Sequence, residues 1–84
     1  MGVAAVVRQY LDPDVRVQGQ EEVFTKTVVG VDLQLVVDYG SRDVRLVMLP
    51  ATLSADESYR LSIVLDHAHQ AMKEVCQLLR SQAH

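Results

Sequence analysis

From Val23 to Val37 the chain alternates. Val23, Thr25, Thr27, Val29, Val31, Leu33, Leu35 and Val37 hold the odd positions with apolar residues or threonine, while the even positions mix apolar, polar and charged residues. A period of two is the signature of β-strands. The run is longer than an ordinary strand of about 3–10 residues, and Gly30 is the natural place to divide it. Glycine there serves either as the positive-φ residue of a tight turn or as a bulge in one long bent strand. The preferred reading is a hairpin at Gly30, although Val-Gly-Val lacks the Asn-Gly or Asp-Gly pair that marks most two-residue turns.

A second hairpin follows. Tyr39-Gly40-Ser41-Arg42 is rich in turn residues. Pairing Asp38 with Asp43 sets Val37 opposite Val44, Leu35 opposite Leu46 and Leu33 opposite Met48, so that all six share one face. A slip of one residue would turn this set to the wrong side, which fixes the register. Two aspartates then face each other at the mouth of the loop, with Arg42 placed to neutralise them. Pro50, which has no N–H for a ladder, ends the strand.

Beyond it, Ser54-Ala55-Asp56-Glu57 matches a capping box, in which serine and glutamate each bond the other's backbone N–H. Leu61, Leu65, Ala68, Met72, Val75 and Leu79 then recur at spacings of three and four, one apolar stripe of an amphipathic helix from about Ser54 to Gln82. Arg60, Asp66, Gln70, Lys73, Glu74 and Gln77 take the other side. At about 1.5 Å per residue the helix is roughly 40 Å long, against ~20 Å for strands of ordinary length. The turns from Val75 to Gln82 are therefore expected to overhang the domain. Leu61, Leu65, Met72, Val75 and Leu79 are the interface candidates.

At the other end, Val3 to Leu11 reads as a short helix or arm that stops before Asp12-Pro13, because a proline disfavours helix in the residue preceding it. Val15-Arg16-Val17-Gln18 alternates as a short strand. The expected architecture is one α+β domain over residues 1–84: an antiparallel β-meander of three to four strands covered by one long C-terminal helix, with a short N-terminal helix or arm.

Composition adds a need for support. A domain of 84 residues buries only roughly 60–65% of the surface its unfolded chain exposes, and such domains often rely on disulfides, metals or association. Cys76 is the sole cysteine, so an internal disulfide is excluded and association is the expected supplement. A lone thiol, no signal-peptide pattern at Met1–Val7 and no long apolar run point to a cytoplasmic protein without a membrane span. The net charge of −3 and six scattered arginines argue against nucleic acid as a partner, since phosphate binding needs clustered cations.

Candidate chemistry is sparse. His67 and His69 are two apart, which on a helix separates them by about 200°, so they cannot converge on one metal. Cys76 falls near the C-terminal end of the helix, where the dipole opposes a thiolate. Asp38, Tyr39, Arg42 and Asp43 gather in one turn, the kind of polar loop tip that binds partners. No phosphate loop, CxxC, nucleophile elbow or calcium loop is present, and no cofactor is expected. The strand–Pro–acidic cap–helix run of Val44–Leu46, Pro50 and Asp56–Leu61 resembles small bacterial nucleoid-associated proteins. It is equally similar to the second half of RNase PH-like exosome subunits. A pattern shared by two unrelated families carries no functional residue across.

The function expected is a small non-enzymatic interaction or assembly module, a homodimer or a subunit of a larger complex, with a protein partner, self or other. Two readings stand behind it: a nucleic-acid-associated protein, if the arginines converge, and a small enzyme whose site forms between protomers.

Overall fold

Each alternating run becomes a strand and each apolar stripe a helix. A computed structural model of the chain describes residues 2–49 and 51–82; the expectation placed on Pro50 falls outside them. The elements are α1 (Val3–Arg8), β1 (Asp14–Gln18), β2 (Glu21–Val28), β3 (Val31–Asp38), β4 (Asp43–Met48) and α2 (Ala55–Ser81). The strands form a four-stranded antiparallel meander in the order β1-β2-β3-β4. Both helices pack on one face of it, which makes the fold α+β.

Gly30 is a hairpin turn. Val28 pairs with Val31 across two residues that both have positive φ, Val29 at 46° and Gly30 at 77°. Two-residue hairpins need this left-handed backbone to match the twist of the strands. Valine meets the requirement at a steric cost, since a β-branched residue is rarely left-handed.

The turn also explains the long alternating run. Across a two-residue turn the facing rule changes parity, so the even positions of β2 share a face with the odd positions of β3. Phe24 lies opposite Leu35, and both are buried under the helices. Of the other helix-side positions of β2, Val28 packs beside the Leu61 cluster, while Glu22 and Lys26 reach polar partners. Glu22 accepts from the Tyr39 hydroxyl at 2.6 Å, and Lys26 Nζ donates to the Asp12 carbonyl at 3.3 Å. Val23 faces the other way, opposite Val36. These two are 3% and 4% exposed although no helix covers that face. On that face Arg45 starts beside Val36 and crosses β3 to bond Glu21 at 2.8 Å, and Arg16 lies opposite Val23. The aliphatic stem of Arg45 can shield the apolar surface beneath it.

The β3–β4 register is the expected one: Val37 with Val44, Leu35 with Leu46, Leu33 with Met48. α2 begins with the expected capping box. Ser54 N–H donates to Glu57 Oε1 at 3.0 Å and Glu57 N–H to Ser54 Oγ at 3.2 Å. These bonds, the one from the Ser54 backbone first, hold the Glu57 carboxyl below its ordinary range.

The expected overhang is not found. Val75 and Leu79 are 0% and 3% exposed. They close on Val3, Val6, Val7 and Leu11 together with Phe24, Leu35, Val37 and Val44. The reason is α1. It lies against the end of α2 and supplies the apolar surface that the strands alone do not reach. A six-residue helix is marginal by itself; docking its valines here is what holds it. A second, smaller cluster joins Val31 and Leu33 to Leu61 near the start of α2, with Val28, Val29, Leu53, Val64 and Leu65 around it.

Candidate interaction surface

The β3–β4 turn is ordered by its own side chains. Asp38 Oδ1 accepts from the N–H groups of Gly40 (2.9 Å) and Ser41 (3.2 Å). These bonds, Ser41 first, hold the Asp38 carboxyl below its ordinary range, with a smaller contribution from Arg45. Tyr39 N–H donates to the Gln20 carbonyl at 2.9 Å. Loss of water around the Tyr39 hydroxyl, then its bond to Glu22, push its pKa upward. A Cβ at Gly40 would collide with the Gln20 side chain. The turn is thereby stapled to the neighbouring Gly19-Gln20 turn.

Arg42 does not neutralise the aspartates. It adopts a left-handed φ of 58° and makes no ion pair among the described residues. Backbone N–H groups quiet the carboxylates instead, that of Asp43 accepting from Val44 at 3.0 Å. Asp38, Tyr39, Arg42 and Asp43 thus come together as expected, with each of the two carboxylates and the Tyr39 hydroxyl engaged within the chain.

The stripe of α2 divides. Leu61, Val75 and Leu79 are buried in the chain's own core, while Leu65 and Met72 are half-buried. At 100° per residue, Leu65, Met72 and Cys76 lie on the flank away from Glu74 and Leu78. Glu74 and Leu78 line a cleft of about 410 Å³ with Val6 and Gln9 beside α1, so the Leu65–Met72–Cys76 flank faces away from α1, on a helix that also contacts β4.

That strand is an open edge of the sheet. Val28–Val31 closes a two-residue turn and is a hydrogen-bonded pair, so the odd residues of β3 bond to β2 and the even ones to β4. Gln34 and Val36 therefore exchange bonds with Val47 and Arg45. Val44, Leu46 and Met48 turn their N–H and C=O groups outward. The Val44 N–H, taken by Asp43 rather than by β3, agrees. Beyond this edge Val47, Met48 and Leu49 are 38%, 42% and 75% exposed. Met48 and Leu49 also line a cleft of about 190 Å³ with Val31, Ala51, Leu53 and Leu61.

Other chemistry is thin. His67 and His69 are both exposed on α2, and among the described residues no group of three or more His, Cys, Asp or Glu could hold a metal. Cys76 is free and half-buried against the main cluster. Beside the α1–α2 cleft a bond to Glu74 raises the pKa of Tyr10, and Glu74 Oε2 is buried without a hydrogen bond. No described helix is long and apolar enough to cross a membrane.

Sequence reasoning did not single out Gln20, Glu21, Glu22 or Arg45, nor the Val47–Leu49 run. The missing signal was cross-strand: Glu21 sits opposite Asp38, within reach of Arg45, only once both turns are fixed. No family model, curated protein or solved structure matches the chain to significance.

Proposed function

We propose that the chain is a small non-enzymatic protein-interaction module, which works as a homodimer or as a subunit of a larger assembly and engages its partner through the β4 edge. The observation that carries this reading is the exposed Val47-Met48-Leu49 run beside outward-facing backbone groups. An unpaired, apolar strand edge is a template for another chain. Proteins commonly guard such edges with outward charges, but Arg45 is drawn inward to Glu21. The half-buried Leu65 and Met72 add apolar surface on a helix that contacts the same strand.

Light scattering on the protein purified at micromolar concentration tests the reading. A particle heavier than the 9.4 kDa chain, whether of copies or of a bound second protein, supports it. A monodisperse monomer carrying no other chain contradicts it.

A further inference from the structure

The partner of the β4 edge has a definable chemistry. Building on the interaction-module reading, we propose that the occupant is a second copy of this chain, paired antiparallel through β4 with the dyad at Leu46. The result is one continuous sheet with both helical layers on the same side.

The outward groups of β4 select this register. Only Val44, Leu46 and Met48 present outward N–H and C=O groups. A dyad at Leu46 sets Val44 against the partner's Met48, Leu46 against the partner's Leu46 and Met48 against the partner's Val44. Every outward residue then meets an outward residue, and the Leu46 pair exchanges two N–H···O bonds; the Val44–Met48 pairs do the same once the Val44 N–H gives up its bond to the Asp43 side chain. All these side chains face the helices, so Leu46 and Met48 gain apolar neighbours. On the open face Arg45 meets the partner's Val47.

The neighbouring registers are poorer. A dyad at Arg45 sets Met48 against Arg42 in the turn, outside the strand, so the outward groups of Met48 lose a strand partner. A dyad at Val47 sets Val44 against Pro50, which has no N–H to give.

The other edge does not serve as well. On β1 the turn at Gly19-Gln20 makes Gln18–Glu21 the hydrogen-bonded pair, so only Val15 and Val17 face outward. The dyad that pairs these two sets Arg16 against Arg16. β4 is thus the edge whose own sequence complements itself.

The helices fit the same geometry. The Leu65–Met72–Cys76 flank of α2 faces away from α1, on a helix that contacts β4, and the dyad brings it toward the equivalent flank of the second copy. A six-residue strand with a strip of helix makes a small interface, below the ~800 Å² per partner of a stable complex. The expected dissociation constant is therefore in the micromolar range.

Sedimentation velocity on the full chain over about 1–200 µM, spanning that range, reads the equilibrium. The wild type is expected to pass from one-copy to two-copy mass. Met48→Pro removes an outward N–H without touching the β3 ladder, which an edge strand tolerates. It is expected to keep the circular dichroism spectrum and to stay monomeric, with affinity reduced at least tenfold. Met48→Lys, an edge-guarding charge, should do the same should the proline variant unfold.

Leu46→Cys in a Cys76→Ala background should cross-link to a covalent dimer under oxidised glutathione. A hydrogen-bonded pair separates Cα atoms by about 5.5 Å, within the disulfide range of about 4.4–6.8 Å. Tyr59→Cys in the same background, on the exposed outer side of α2, should not cross-link.

A wild type that stays monomeric yet is purified with an equimolar second protein overturns the second-copy proposal and leaves the interaction-module reading standing. A monomer that carries nothing overturns both. Dimerisation unchanged by folded Met48→Pro and Met48→Lys variants, or Leu46→Cys that cross-links no faster than Tyr59→Cys, overturns the β4 dyad.

Discussion

The two apolar clusters that anchor α2 are built from the same kind of residue at the same helical spacing, yet they are closed differently. The main cluster holds Ala68, Ala71, Val75 and Leu79 between the sheet and α1. The smaller one holds Leu61 against Val31 and Leu33, with a loop at Leu53 and the half-buried Val29 for walls. The first has an extra helix as a lid. The second opens to solvent through the cleft at Met48 and Leu49. A uniform stripe thus yields a rigid end and an accessible end, and the accessible end adjoins the unpaired edge. What decides the difference is which segment of the chain returns to cover the stripe.

The strongest way to break the comparison is to empty the main cluster. Phe24 is one of the largest fully buried side chains, and Phe24→Ala should cost about 3–5 kcal/mol. That approaches the whole stability of a small domain. Urea denaturation followed by circular dichroism checks it, and a loss under about 1.5 kcal/mol would mean the cluster is loosely packed.

A matched pair sharpens it. Leu79→Ala and Leu61→Ala remove the same atoms from the two ends of α2. Truncations of this kind cost about 2–5 kcal/mol, more where the surroundings cannot relax. Leu79→Ala is expected near the top of that range and Leu61→Ala near the bottom. Equal losses in the same denaturation measurement would erase the distinction between the ends.

Smaller effects probe the turn that walls the second cluster. Val29 is left-handed at φ 46°, so Val29→Asn should relieve strain and stabilise by about 1 kcal/mol. Gly30, at φ 77° with open space around it, should lose about 1 kcal/mol as Gly30→Ala. Opposite signs at adjacent positions are the expected result, read as shifts in the midpoint of thermal unfolding. Both variants lowering the midpoint would show that Val29 contributes more by packing than it costs in strain.

The smallest effect is acid sensitivity. Asp38 at one end and Glu57 at the other both titrate below their ordinary range. The folded state then favours the charged carboxylates. The stability they contribute is present above the unfolded-state pKa and is lost as pH falls through the folded-state values. Thermal midpoints should fall on acidification through and below the ordinary carboxylate range. Asp38→Asn and Glu57→Gln should each flatten that decline, and an unchanged slope in either variant would remove that residue from the account.

Much of this fold is legible in the sequence because its signals are local. The capping box at Ser54–Glu57 and the period of α2 are short-range patterns, and the β3–β4 register follows from matching two faces across a four-residue turn. The covering of Val75 and Leu79 by α1 is not local. Nothing in Val3–Leu11 announces which surface its valines meet, and a length estimate for α2 leaves its last turns without a partner. The parity change across Val29-Gly30 is hidden for a related reason: one unbroken odd-position run in the sequence becomes two runs on opposite faces. The candidate surface suffers most from this. Leu65 and Met72 are half-buried and stay interface candidates, whereas Leu61, Val75 and Leu79 are spent inside the chain. The β4 edge is recognisable only once the strand order shows that no neighbour covers it.

On the proposed reading, the surface that this chain offers to a partner is the β4 edge and not the end of α2. Residue-resolved amide hydrogen exchange at rising protein concentration tests it directly. The outward N–H groups of Leu46 and Met48 should gain protection as concentration passes through the micromolar range, while Leu78 to Ser81 stay unchanged. Protection that rises along the end of α2 and leaves Leu46 and Met48 unaltered would contradict it.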